Sequence, residues 1–227
     1  MSHSQIAPAI HYWGTPVVLV STRNEDGSSN IGPISSAWWL GDRCILGFEY
    51  DSQSTINLLA NGECVLNLPS SDMIATVNAL ARTTGTNPMP AFKEANGYRF
   101  VKDKFAEAHL TAQAGDLVNV PRIKECPVQM EARLVHHYAT KAGFIEIVEV
   151  EVLRTYVTDG IRMKGHKNRI DPDLLRPMIM NFQQLYGLQE GGRTQESVLA
   201  GVQEENYRAL APFPGGSEVK IQEQMAE

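Results

Sequence analysis

Two long segments near the middle of the chain limit its fold more than anything else in it. In CPVQMEARLVHHY (126–138), Val128, Met130, Ala132 and Leu134 alternate with Gln129, Glu131 and Arg133. That is the period-two pattern of a half-buried antiparallel strand. In FIEIVEVEVLRTYV (144–157), Ile145 and Ile147 share one phase, whereas Val148, Val150 and Val152 take the other. A phase flip inside one strand predicts a bulge or a change of partner sheet near Ile147–Val148. Long curved strands with bulges are what a small closed or split barrel requires.

The remaining segments agree with a mainly β fold. VVLVST (17–22) reads as a buried strand, and Asp26-Gly27 marks a hairpin turn. Residues 31–40 and 43–50 read as two further strands joined around Gly41-Asp42, and ECVLNL (63–68) as another. Helices are expected at 54–61, capped by Ser54 or Thr55 and stopped by Gly62, and at 70–81, with Met73, Ile74, Val77 and Leu80 on one face. Residues 82–120 are loop-rich. No βαβ alternation occurs, which argues against a Rossmann sheet. After residue 168 the pattern changes. Asp171-Pro172 predicts the start of a helix over 169–188, kinked or restarted at Pro177. TQESVLAGVQEENYRALA (194–211) predicts an amphipathic helix with Thr194 as its cap. The expected organisation is therefore one barrel domain over 1–188 with peripheral helices, and a helical C-terminal extension and tail over 189–227.

Charge and composition exclude several functions. The net charge is −6 with 43 % apolar and 20 % charged residues, which opposes a nucleic-acid surface. No stretch approaches the roughly 20 apolar residues that a membrane span needs, and the N-terminus lacks a secretory signal pattern. Cys44, Cys64 and Cys126 are unevenly spaced and read as buried reduced thiols of a cytoplasmic protein. No G-x-S-x-G, H-E-x-x-H or P-loop pattern is present, and no metal site is expected.

Residues 30–57 carry the most chemistry. A Ser-Ser strand start, an apolar strand and a Ser/Thr/Asn loop opening a helix bring hydroxyls and free N–H groups to a place where an anion could sit. No Lys or Arg lies between Arg43 and Arg82. A phosphate here must therefore be held by neutral donors or by charge arriving from elsewhere in the fold. Trp38 and Trp39 are adjacent and face opposite ways. One is core, and the other either walls a flat ligand or packs at a subunit interface. His136 and His137 read as satisfied or surface histidines. His166, in the basic loop KGHKNRID, is either a solvated loop residue or a ligand-facing group.

NIGPISSAWW, STINL, ECVLNL, PRIKECPVQMEA, RTTG with KEANGYRFVKDKF, and RIDP with LLRPM together resemble the flavin reductase-like proteins with an FMN-binding split barrel. The similarity covers roughly residues 15–188. It implies a Greek-key split barrel that forms a homodimer with FMN at the subunit interface. It also implies hydride transfer from NADH or NADPH to the flavin and, in many members, delivery of reduced FMN to a separate monooxygenase. Matched to the family, Ser35, Ser36, Ala37 and Trp38 lie along the isoalloxazine. Gln53, Ser54, Thr55 and Asn57 form the phosphate loop, and Thr84, Gly85 and Lys93 a second loop that closes over the cofactor. His166 is expected nearest the nicotinamide. The chain departs from the family at Gln53, where a Lys is common, and at Glu49 and Tyr50, where a basic residue is common. A strand histidine common in the family corresponds to Gly143, and a following glycine to Val148. Two other readings keep the fold: an FMN-bound flavoenzyme or electron carrier acting on a small organic substrate, and a split-barrel binding protein that has lost flavin.

Overall fold

The computed structural model describes residues 1–8 and 10–188. Its strands and helices are β1 (Trp13–Pro16), β2 (Val18–Arg23), β3 (Ser29–Ile34), β4 (Ala37–Leu40), β5 (Arg43–Glu49), α1 (Gln53–Asn61) and β6 (Glu63–Leu68). A 3-10 turn at Ser71–Met73 leads into α2 (Ile74–Ala81). Short pieces follow: β7 (Thr83–Thr84), α3 (Ala91–Ala95), β8 (Arg99–Phe100), α4 (Lys104–Glu107), β9 (Ala112–Gln113) and β10 (Arg122–Ile123). The long β11 (Val128–Ala139) and β12 (Ile145–Val157) come next, then β13 (Met178–Asn181) and β14 (Gln184–Gly187). Among the described residues no helix is long and apolar enough to cross a membrane.

The result is a mainly β split barrel, as expected. Seven antiparallel strands run in the order β3-β2-β6-β11-β12-β5-β4. The β11–β12 ribbon is its axis. The first half of β11 pairs with β6, from Val128↔Leu68 to Arg133↔Glu63, and the first half of β12 pairs with β5, from Ile145↔Glu49 to Glu151↔Arg43. One ribbon thus joins two smaller sheets. Its inner face packs Val128, Met130, Ala132, Val148 and Val150 against Val18, Val20, Leu46, Leu58 and Leu66, all buried.

The apolar run at 17–20 is explained by burial on both sides of β2. Val18 and Val20 face the barrel, whereas Leu19 and Val17 face a second core under α2 and α4, with Val77, Leu80 and Phe105. Helix α1 ends at Gly62, which takes a left-handed φ of 71° and donates its N–H to the Leu58 carbonyl at 2.8 Å. This is the usual αL stop.

Four expectations change. First, the residue capping α1 is Ser52, not Ser54 or Thr55: its Oγ accepts the Thr55 N–H at 3.2 Å. Second, β12 keeps one phase through 146–150, with Glu146, Val148 and Val150 all buried and Ile145 and Ile147 on the outer face. The register shifts fall elsewhere. Glu131 pairs with Arg154 and Ala132 with Val152, leaving Leu153 as the extra residue; Leu134 pairs with Val150 and His136 with Glu149, leaving Val135. The misleading cue is Glu146, a carboxylate on the inward face that satisfies itself with His137 Nδ1 at 2.6 Å. Third, β11 is buried on both faces at its start, because the segment 111–123 covers Gln129 and Glu131. Fourth, 169–188 is not a helix. Asp171 holds a single turn, accepting the Leu175 N–H at 3.0 Å, and Pro177 ends it. The chain then pairs as β1-β13-β14, with Val17 donating to the Met178 carbonyl at 2.9 Å. The helix expected at 194–211 lies outside the described residues, as does the rest of the extension.

Glu131 is fully buried, and its two oxygens accept the Asp116 and Leu117 N–H groups at 2.8 and 2.7 Å. Arg122, also buried, approaches it at 3.5 Å and lies 3.8 Å from the centre of the Tyr156 ring. Removing one partner of a buried pair leaves the other charge without compensation. Glu131→Ala is therefore expected to lower unfolding free energy by about 3–5 kcal/mol in urea titration. Glu149→Ala, which touches Arg43 only at 3.9 Å on the surface, is expected to lose about 1 kcal/mol or less. Equal losses would show that this carboxylate does not hold the 111–123 cover.

Candidate functional site

Three chain segments meet where β3 passes the start of α1. Asn30, near the start of β3, is 2 % exposed. Its Nδ2 donates to Ser54 Oγ at 3.1 Å and to Thr22 Oγ1 at 3.3 Å, while its Oδ1 is buried without a partner. Turning the amide over would give Oδ1 both hydroxyl protons and leave Nδ2 as an unused donor. Either orientation leaves one unmet polar group at this point, which a ligand can satisfy.

Two glycines make the approach possible. A Cβ on Gly32 would lie 2.4 Å from Ser54 Oγ. A Cβ on Gly85 would lie 2.7 Å from Asn30 Oδ1 and 2.9 Å from Gln53 Cγ. Backbone from β3 and from the 83–86 loop therefore lies directly against the first turn of α1. Thr84 and Thr86 fix that loop: Thr84 Oγ1 accepts the Thr86 N–H at 3.2 Å, and Thr86 Oγ1 donates to the Asp51 carbonyl at 3.4 Å.

The α1 side chains are mostly engaged within the protein. Thr55 Oγ1 donates to the Glu49 carbonyl at 2.8 Å, and Ser52 donates to Thr55 Oγ1 at the same distance. Gln53 Nε2 donates to Asn57 Oδ1 at 2.7 Å, and Asn57 Nδ2 donates to Thr22 Oγ1 and Asn24 Oδ1. Asn57 thus ties α1 to the β2–β3 hairpin. What α1 can still offer an anion is the N–H groups of Gln53 and Ser54, since that of Thr55 is taken by Ser52.

Positive charge reaches this place from two later segments. Lys93, on α3, is 5 % exposed and lies 3.1 Å from Glu49 Oε2 and 4.0 Å from Asp51 Oδ1. Lys104, the first residue of α4, is 3 % exposed and donates to the Ile31 carbonyl at 2.8 Å. No carboxylate accompanies it among the described residues. Burial first, and repulsion from Lys93 second, push its pKa down to about 8. The sequence reading omitted Lys104 and Asn30. The available signal for Lys104 was KDKF: Asp103 caps α4 by accepting the Ala106 N–H, so the lysine after it is set on the same short helix as the buried Phe105.

Ser35, Ser36, Ala37 and Trp38 form the bend from β3 into β4. Ser35 and Ala37 are buried, and Ser36 Oγ donates to the Gly47 carbonyl at 2.6 Å. Trp39 packs on the barrel core and Trp38 is 56 % exposed, which resolves which tryptophan faces out. The structure thus gathers Gln53, Ser54, Thr55, Asn57, Thr84, Gly85 and Lys93 around one point. His166 is not among them. It stands exposed in its own loop, its N–H on the Met163 carbonyl at 3.1 Å.

Residues 10–184 match the family described as "flavin reductase like domain". The uncharacterized protein YdfE of Bacillus subtilis (strain 168) is 36 % identical over 195 residues, covering 85 % of this chain and 93 % of that protein. Among solved structures, the flavoredoxin of Desulfovibrio vulgaris (Miyazaki F) superposes with a TM-score of 0.71 at 19 % identity, covering 89 % of this chain and all of that one. Nitrilotriacetate monooxygenase component B from Bacillus cereus gives 0.64 at 18 % identity, covering 84 % and 98 %. A family match of this extent, on the split barrel described above, makes the chain a member of the flavin reductase-like domain family.

Proposed function

We propose that the chain is an NAD(P)H-dependent flavin reductase that binds FMN, works as a homodimer and hands reduced flavin to a monooxygenase. The observation that carries this reading is the buried ammonium of Lys104, which no carboxylate among the described residues compensates, on the carbonyl of Ile31 between Asn30 and Gly32. An ammonium held out of water without a counter-charge is unfavourable, and an anionic ligand removes the penalty. The orphaned Asn30 amide and the close backbone at Gly32 and Gly85 suit a phosphorylated ligand with polar side-chain hydroxyls.

Gln53, Ser54, Thr55 and Asn57 would shape the phosphate end. Thr84, Gly85 and Lys93 would close over it, and the Ser35–Trp38 bend would run along the ring. Thr55 would act by holding the helix start in place, because its own hydroxyl is already engaged by Glu49. When bound, FMN supplies the redox centre that accepts a hydride from the nicotinamide nucleotide. The chain's part is to bind and orient. None of its cysteines offers a nucleophile: all three are buried, and burial pushes the Cys44 thiol up to about 12.

The partner surface on this reading is the outer face of β4, β5, β12 and β11. Trp38 pairs with Ile45, and Ile147 with Tyr138. Trp38, Leu40 and Tyr138 are all more than half exposed. Large exposed apolar side chains grouped on one sheet face mark an interface.

Purified protein is expected to bind added FMN and to oxidise NADH or NADPH with it; turnover with neither nucleotide rules out the reductase. Lys104→Met is expected to weaken FMN binding by about 10- to 100-fold, the range for one charge-assisted hydrogen bond. The sign of the pH dependence follows from the lowered pKa. In the free protein Lys104 loses its proton from about pH 8 upward, whereas a bound phosphate retains it. FMN affinity should therefore fall above pH 8, and Lys104→Met should abolish that fall. Without ligand, the same group makes the folded chain gain stability between about pH 8 and 10.5, because the unfolded chain keeps the proton longer. Trp38→Glu is expected to convert a dimer to a monomer in sedimentation velocity; an unchanged sedimentation coefficient rejects this face as the contact.

A further inference from the structure

The loop between β12 and β13 carries a concentration of charge that the flavin cradle does not use. The chain has 20 Lys and Arg against 26 Asp and Glu, yet RMKGHKNR (162–169) holds four of the cations and none of the acids. The loop has a defined shape. Asp171 donates its N–H to the Ile161 carbonyl at 2.9 Å and Met163 to the Arg169 carbonyl at 2.8 Å, on either side of an Arg162↔Ile170 bridge. At the tip, the His166 N–H returns to the Met163 carbonyl at 3.1 Å, with Gly165 at φ +80°. That is a type II turn, with glycine at the position that demands positive φ.

Arg162 is used internally. It pairs with Asp159 at 3.1 Å and donates to the Lys167 carbonyl at 3.1 Å. Lys164, Lys167 and Arg169 have no carboxylate partner among the described residues; Lys164 and Lys167 are exposed and Arg169 is half-buried. The base of the loop is anchored. Ile161 and Ile170 pack on the barrel core, as do Ile34 and Trp39, the residues that flank the Ser35–Trp38 bend. A preformed turn with unpaired cations is thus rooted in the same core that carries the Ser35–Trp38 bend, on a chain that is otherwise acidic.

We propose that Lys164, Lys167 and Arg169 form a phosphate-recognition site for the hydride donor, one that favours a dinucleotide bearing a 2′-phosphate on its adenosine ribose and so selects NADPH over NADH. This rests on the reductase reading above. A 2′-phosphate adds about two negative charges to one end of the donor, and clustered unpaired cations recognise that difference. Lys93 and Lys104 lie buried at the α1 cradle, so the two phosphate sites use separate cations.

The test compares the wild-type chain with a Lys164→Gln, Lys167→Gln, Arg169→Gln triple variant. Calorimetry with 2′,5′-ADP and with AMP reads the loop without any turnover. The wild type should bind 2′,5′-ADP at least about tenfold more tightly than AMP, with a preference that shrinks as salt rises. The variant should bind both alike while keeping its melting temperature and its FMN affinity. In steady state with saturating FMN, the wild type should favour NADPH in kcat/KM, and the variant should lose that preference through KM. Equal binding of 2′,5′-ADP and AMP by the wild type overturns the proposal, as does an unchanged preference in the variant. Turnover with neither nucleotide, alongside selective 2′,5′-ADP binding, overturns the reductase reading and leaves the loop assignment standing.

Discussion

A thirteen-residue strand cannot run straight through a small split barrel, and this protein solves the problem with two extra residues. Leu153 and Val135 interrupt the β11–β12 register a few residues apart, and each adds local twist. Between these points the ribbon exchanges one sheet partner for another: β6 ends its pairing at Arg133 and β5 begins at Glu151. The inward face stays apolar through Val148 and Val150, and beyond them Glu146 is buried with its carboxylate on His137. β3 and the 83–86 loop both lie against the first turn of α1.

The cradle inherits its chemistry from this arrangement. It is built from backbone and neutral side chains, held close by Gly32 and Gly85 and braced by Asn57 across to the β2–β3 hairpin. Its charge comes from later in the chain. Lys93 is largely neutralised by Glu49 and Asp51. Lys104 is not, and its contact is the carbonyl of Ile31 in the strand that forms the cradle wall. The buried cation without a carboxylate partner among the described residues thus comes from more than forty residues beyond α1.

The sequence made the barrel readable because its signals were local. Alternation in 126–138, the Asp26-Gly27 and Gly41-Asp42 turns and the Gly62 stop each act within a few residues. It misled where a local pattern was overruled by distant packing. Glu146 looked like an outward residue and shifted the apparent phase, although it faces inward with His137. Asp171-Pro172 is a sound helix start, yet the chain beyond Pro177 is claimed by the edge of β1 and continues as a hairpin. Site residues followed the same rule. Gln53, Ser54, Thr84 and Gly85 sit in short polar motifs and were legible, and the structure brings them together. Asn30 and Lys104 are polar residues whose significance is burial, and burial is set by segments that sequence spacing does not connect.

The balance of donors also bears on how such a cradle would treat its ligand. A bidentate arginine clamp gives both strength and orientation to phosphate binding. Among the described residues no arginine clamp stands at α1: Lys93 is already paired with Glu49 and Asp51, and Lys104 lies on the Ile31 carbonyl. Neutral N–H donors and a single titratable ammonium give a weaker hold. A protein that keeps its flavin as a permanent group gains nothing from weakness at this point. A protein that takes up oxidised flavin and releases the reduced form needs it, since the phosphate is the part of the ligand that does not change between the two states. Gln53, Glu49 and Tyr50 supply no fixed positive charge here, and on the proposed reading that fits a carrier of exchangeable flavin.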